Sequence, residues 1–453
     1  MDLIERLLRG TVDLEYKDLN DRAVDATKRF LLDTFGVCAA AFTSPEAQVV
    51  SRTVHKWGGA PESTPWFTGE KVPAPSAALM NGTLVHSKEF DCIHPAGIHP
   101  MSSITAATLA VAEQTGGVSG KEFLAAMAMG VDLACRVGRG CKRGLVFYRP
   151  ATCGAFGAVY GGSRLAGLDR ERTLDALGVM YSQISGTLQS HSEGVLVNTM
   201  QPAFAARSAV VATNLAAEGM MGPRGLLEGL YGYYRLFEGG DYDAERPLDG
   251  LGSTFEIEHL AYKPYCTGRL ANGGVEAALK VRAEHGLDPA DVKGVKVTVP
   301  ELSMRLVGRP AVKGGMTPQS ARLCLQYCVA VALLHGDVWI SHFEAEGLAN
   351  DAIYDLASRV EVVKDPNNDD PQAMVPLYLD VYTGNGAIHE ELQVLKGSPE
   401  SPLTQEEAMV KFRRGWDHTG KLDPQGADRL VALIDRLEDV EDIAELTSIL
   451  TLA

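Results

Sequence analysis

Apolar residues recur at three- and four-residue intervals through most of the first 265 residues, the spacing of helices that bury one face. Asn20 or Asp21 caps one such run, which carries Val24, Thr27, Phe30, Leu31 and Phe35 on a common side. Ser119 followed by Glu122 is a capping-box signature, and Phe123, Leu124, Met127 and Val131 continue the stripe behind it. Residues 154–163 and 203–219 are dense in Gly and Ala, small enough to let buried helices approach closely. Ser63 to Gly69 breaks this texture and reads as a short strand or an extended loop.

The period changes after Lys263. Arg269 to His285 still reads as a helix, but residues 292–300 alternate Val295, Val297 and Val299 with Lys296 and Thr298, as a half-buried strand does. A helix is predicted from Ser320 to His335, with strand-like runs after it at 358–364, 375–383 and 389–395. Gly384-Asn385-Gly386 marks a hairpin between the last two. Thr404 and Glu407 repeat the capping-box spacing, and helices resume to near Leu450. The pattern predicts a mostly α protein, with a large all-helical domain built from both chain ends, 1–265 and 400–453. Residues 266–399 are predicted to form a smaller, compact α+β domain with an antiparallel sheet.

Composition narrows the function classes. The formal net charge of -16 excludes a nucleic-acid or anionic-membrane surface, which such a chain would repel, but leaves room for a locally basic pocket. The N-terminal stretch carries charges among its apolar residues, unlike a signal peptide, and the apolar runs at 37–42 and 328–334 are too short to span a bilayer. The eight cysteines are scattered without a C-x-x-C pair, as expected of a reduced, cytoplasmic protein.

The densest polar cluster is HSKEFDCIHPAGIHP, residues 86–100, holding His86, Glu89, Asp91, His94 and His99. Two His-Pro steps place His94 and His99 on stiff, extended backbone, which suits a catalytic loop on a helical scaffold. A metal site is the rival reading, but the histidines lack the spacing of an H-E-x-x-H helix, and no metal is expected. Helix capping is the structural alternative for any one of them. Lys263 lies between Tyr262 and the Pro264-Tyr265 step, where a partly desolvated lysine serves as a base, as a carboxylate anchor or simply as a surface residue. Cys266 is a weaker candidate thiol base. The FGAVYGG run lacks Walker spacing, no G-x-S-x-G elbow occurs, and DPNNDD does not fit an EF-hand.

These segments resemble the MmgE/PrpD family. The stretches that carry the likeness are LLDTFGVCAAA (31–41), AALMNGTLVHSKEFD (77–91), the His-Pro at 99–100 with TAATLAVAEQTG after it, AYKPYCTG (261–268) and the segment 308–338. The resemblance implies a helical domain and a lid domain, a homodimer, no organic cofactor, and a site near the domain junction. It also implies abstraction of a proton next to a carboxylate of a small di- or tricarboxylate, followed by loss of water, loss of carbon dioxide or reprotonation. By this likeness His99 and Lys263 keep family active-site identities, while Glu89 stands where an aspartate is usual and Asp91 accompanies it in substrate binding. Ile93 replaces a threonine, Arg149 a histidine, Gln201 a lysine and Leu306 a tyrosine. Arg149 and Gln201 are expected to bind substrate; Arg149 can grip a carboxylate but cannot titrate near neutral pH. Tyr148 is the candidate proton donor. The expected activity is a hydro-lyase like 2-methylcitrate dehydratase; an epimerase and a non-catalytic carboxylate binder are the alternatives.

Overall fold

The computed structural model describes residues 1–452. The helix Asp21–Ala41 starts where the Asn20 side chain accepts from the Ala23 amide, and it buries Phe30, Leu31 and Phe35. Ser119 and Glu122 close their capping box at the head of Gly120–Arg139, and Thr404 and Glu407 do so ahead of Gln405–Asp417. The helices Ala74–His86, Pro100–Thr115, Arg149–Leu165 and Val197–Ala217 are buried along most of their length. Their small residues permit close crossings: a Cβ on Gly157 would lie 2.2 Å from the Gly130 carbonyl oxygen.

One hydrophobic core runs from Leu3 to Tyr262 and takes in Leu403 to Leu450, because Gln405–Asp417 packs along Asp21–Ala41. A second core spans Cys266 to Leu392 and draws in Val37, Ala40 and Phe90 from the helical side. Between the two lies the segment carrying Lys263. Among the described residues no helix is long and apolar enough to cross a membrane.

The second core contains a four-stranded sheet of order β2-β1-β3-β4, with β1 at Val292–Val299, β2 at Val360–Lys364, β3 at Leu377–Thr383 and β4 at Gly386–Leu392. The sheet is mixed, not antiparallel throughout: β1 pairs parallel with β2, Val295 opposite Val360, while β1–β3 and β3–β4 are antiparallel. Helices between β1 and β2 return the chain to the same end of the sheet, which makes the parallel pairing possible. The hairpin forms at Gly384-Asn385, with Thr383 opposite Gly386, so β4 begins earlier than its hydrophobic residues suggested. The helix predicted over 320–335 is split into Pro318–Arg322 and Leu325–His335, because Cys324 adopts extended backbone. Ser63 to Gly69 is a loop held by a single bridge from Ser63 to Val72.

Candidate active site

The loop 87–99 leaves the end of Ala74–His86 and stops at His99, the N-cap residue of Pro100–Thr115. Pro100 at the first helical position forces that stop. Within the loop Glu89 has φ 51, left-handed backbone that a glutamate adopts only when its surroundings impose it. An Ile93–Ala261 bridge ties the loop to the strand-like segment that carries Lys263.

Asp91 is the centre of the cluster. Its carboxylate accepts from His86 Nδ1 at 2.9 and 3.0 Å and lies 3.3 Å from His99 Nδ1. His86 Nε2 is 2.5 Å from the Tyr148 hydroxyl, completing a chain from Asp91 through His86 to Tyr148. His99 Nδ1 also lies 2.9 Å from the Cys92 carbonyl oxygen, which can only accept, so Nδ1 carries the proton and the lone pair is on Nε2. Nε2 has no partner among the described residues. Lys263 donates to the Glu89 carboxylate at 3.1 Å and to its backbone oxygen at 3.2 Å, and Gln319 donates to the other carboxylate oxygen at 2.8 Å.

The environment separates the titrations. Burial opposes charging of His86, but Asp91 and Glu89 outweigh it and raise its pKa. For His99, burial and then Lys263 prevail over Asp91, and its pKa is lowered. Burial, with Glu89 and Asp91 nearby, holds the Tyr148 phenol well above its usual range. Burial works against the Glu89 carboxylate, yet Lys263, His86 and His99 bring it down to about 2. His99 is thus biased toward its neutral imidazole and His86 toward its imidazolium, beside a protonated Tyr148 phenol and ionised carboxylates. Two titratable groups driven apart in this way mark a base and an acid.

His86, Asp91 and His99 also lie close enough to hold a cation. Their hydrogen bonds argue for protons instead, since each Nδ1 facing Asp91 is a donor. Glu89, His99 and Tyr148 line a cavity of about 70 Å³ at the junction of the two cores. Most of the rest of its wall is apolar, including Ile93, Leu145 and Leu188 and, from the 266–399 part of the chain, Leu302, Leu306 and Leu323, with His191 and Arg269 as further polar members.

Asp91 and Lys263 sit behind this wall, fully buried and outside the lining. Lys263 therefore holds Glu89 rather than facing the cavity as a base. Arg149 is not a free carboxylate anchor: its guanidinium pairs with Glu238 at 2.9 and 3.1 Å and donates to the Ala96 and Arg143 carbonyls. Gln201 does not reach the cavity either; it accepts from the Thr187 amide and donates to Thr187 O, Ser190 and Asn198, pinning the loop that carries Leu188 and His191. Burial pushes the Cys266 thiol up to about 12, which leaves it inert as a base. Three lining or relay residues had no assigned role: His86, which stood in the 86–100 cluster, His191, alone in a polar loop, and Arg269, hidden in an ordinary helical pattern.

Two family models match the chain: the MmgE/PrpD N-terminal domain over residues 5–245 and the MmgE/PrpD C-terminal domain over 265–439. Among curated proteins, the chain is 24% identical to the cis-aconitate decarboxylase-like protein oryM of Aspergillus oryzae, covering 98% of this chain and 96% of that one. It is 24% identical to the cis-aconitate decarboxylase of Homo sapiens, over 96% of this chain and 92% of that one. A probable 2-methylcitrate dehydratase of Saccharomyces cerevisiae is 24% identical over 76% of this chain and 70% of its own.

Proposed function

The chain belongs to the MmgE/PrpD family, and from that premise we propose that it is a lyase that removes the proton next to a carboxylate and eliminates water. His99 Nε2 takes the proton, and the electron pair of the broken C–H bond forms the C=C bond as the C–O bond breaks. Tyr148 gives its proton to the departing hydroxyl, and His86, held by Asp91, restores it. The product is an unsaturated acid and water. No electrons change hands, so the reaction needs no redox cofactor.

The observation that carries this reading is the pairing of an unpartnered, neutral His99 Nε2 with a phenol wired to a raised-pKa histidine on the same cavity. Lys263 and Gln319 fix the Glu89 carboxylate in that wall, so the negative charge near both histidines is constant. Named relatives that are decarboxylases and dehydratases support a lyase at the level of the family.

Proton NMR in deuterium oxide tests the reading on a panel of hydroxy and unsaturated carboxylates. Loss of the Cα–H signal together with a growing vinyl signal is expected, and exchange without a vinyl signal would instead indicate epimerisation. If no member of the panel exchanges its Cα proton, the lyase reading falls.

A further inference from the structure

What faces one nitrogen of a neutral histidine ring decides which of the two carries the proton. His191 lines the same cavity as Glu89, His99 and Tyr148 and is 8% exposed. Its Nδ1 faces Nη2 of Arg309 at 3.5 Å. A guanidinium donates hydrogen bonds and accepts none, so the lone pair of His191 is on Nδ1 and the proton on Nε2. That Nε2–H has no partner among the described residues. Burial, with Arg309 and Arg305 acting the same way, outweighs Glu89 and holds the His191 pKa at about 4, so the ring is neutral near pH 7. The cavity therefore carries two histidines of opposite character: His99 offers it a lone pair, and His191 offers it an N–H.

His191 is held in place from three directions. Gln201 ties Thr187 and Ser190, just ahead of it, and Thr317 donates to the Gly194 carbonyl just after it. Arg309 donates to the backbone oxygens of His191 and Ser192 at 3.0 and 3.1 Å. It also donates to Leu306 O at 3.1 Å, which joins this loop to the helix Glu301–Val307. All of these acceptors are neutral, and no carboxylate among the described residues pairs with Arg309. Arg305 lies on that same helix, between the cavity-lining Leu302 and Leu306. Its Nη2 is 3.7 Å from where a Cβ on Gly144 would stand, next to Leu145 in the cavity wall. It too makes no salt bridge among the described residues. Neither arginine lines the cavity; His191 is the side chain through which this cationic corner meets it.

An N–H left without an acceptor in a largely apolar wall costs free energy that a ligand's acceptor recovers. Cations behind that N–H make an anionic acceptor the best match, and the charged hydrogen bond it forms is the stronger kind. The proton relay does not use His191, since Tyr148 and His86 already complete it.

We infer that the Nε2–H of His191 seats a carboxylate of the ligand in this cavity, with Arg309 fixing the ring's tautomer and Arg309 and Arg305 together supplying the attracting charge. This deepens the lyase reading above, on which it rests for placing the adjoining Cα–H at His99 Nε2. It sets no limit on the number of carboxylates the ligand carries. Arg309 acts through His191 and is a positioning residue.

Succinate and propane-1,2,3-tricarboxylate are the probes, because neither has a hydroxyl to lose and both bind without reacting. Calorimetry measures their affinity, and NMR of protein labelled with 15N-histidine follows the His191 ring, assigned by the signal missing from His191→Gln. The free protein is expected to show a neutral His191 protonated on Nε2, and that nitrogen is expected to shift when either probe saturates the site. His191→Phe, which keeps a ring and loses the donor, should weaken Kd by on the order of 10- to 100-fold. His191→Gln, whose carboxamide N–H extends about as far as Nε2, should recover most of that loss. Arg309→Met should weaken binding and leave His191 a mixture of tautomers. A His191 signal unmoved at saturation, parent affinity in a folded His191→Phe, or no binding of either probe to the wild-type protein overturns the inference. Binding through His191 without Cα exchange on any hydroxy acid overturns the lyase reading and leaves this one standing. Cα exchange at the parent KM in His191→Phe does the reverse.

Discussion

Asp91 touches two histidines and has opposite consequences for them. His86 is raised because Asp91 and Glu89 both outweigh its burial, whereas His99 is lowered because burial and Lys263 act together. The rate should therefore be bell-shaped in pH. Its acid limb lies below the ordinary histidine value of 6.5, where His99 gains a proton, and its alkaline limb lies above 6.5, where His86 loses one. Asp91→Asn removes a negative charge from both, so both limbs of kcat/KM should move to lower pH. An alkaline limb that stays in place would show that His86 is not the group it reports. At this scale the sequence was informative about residue types but not about pairings. The 86–100 segment puts the candidates His99, Glu89 and Asp91 on one loop. It could not disclose that Tyr148, 62 positions away, meets His86, or that Arg149 turns to Glu238 instead of the cavity. A polar side chain's partner is a property of the fold: Arg149 pairs with Glu238 and Gln201 with Thr187, neither of which its own sequence neighbourhood signals.

The proposed acid and base are each set at the start of a helix, Tyr148 ahead of Arg149–Leu165 and His99 ahead of Pro100–Thr115. Their separation thus depends on how closely those helices pack with Gly120–Arg139. The crossing at Gly130 and Gly157 leaves no room for a methyl group: on Gly157 it would lie 2.2 Å from the Gly130 oxygen and 2.8 Å from the Ala134 Cβ. Gly157→Ala should cost about 1–3 kcal/mol of stability in urea unfolding and lower kcat, as the Arg149–Leu165 helix is forced outward. A variant as stable and as active as the parent would remove the helix crossing from the account. Elements were the most legible level. The helix caps at Asn20, Ser119 and Thr404 and the Gly384-Asn385 turn follow from local chemistry, and they formed where that chemistry sits. Strand direction was not legible, because alternation of Val295, Val297 and Val299 fixes a buried face and says nothing of which way a neighbour runs.

Across the whole molecule, the site depends on two cores meeting. Phe90, between Glu89 and Asp91, belongs to the second core: its ring lies edge-on to Trp339, and Lys411 donates to its backbone oxygen at 2.9 Å. Phe90→Ala should cost about 3–5 kcal/mol by leaving a cavity between the cores. Its kcat should fall further than stability alone explains, because both neighbouring carboxylates lose their backbone support; denaturation and rate measurements on one preparation check this. The onset of strand-like alternation after Lys263 was visible as a change of period, but the Lys263–Glu89 pair, 174 positions apart, was not. In the proposed reaction His99 takes the Cα proton while Tyr148, backed by His86, releases the hydroxyl. The most direct measurement compares deuterium uptake at Cα with alkene formation in Tyr148→Phe and His99→Asn. Tyr148→Phe is predicted to keep Cα exchange while losing alkene formation on the order of 100-fold or more, and His99→Asn to lose both. Exchange at the parent rate in His99→Asn would contradict it.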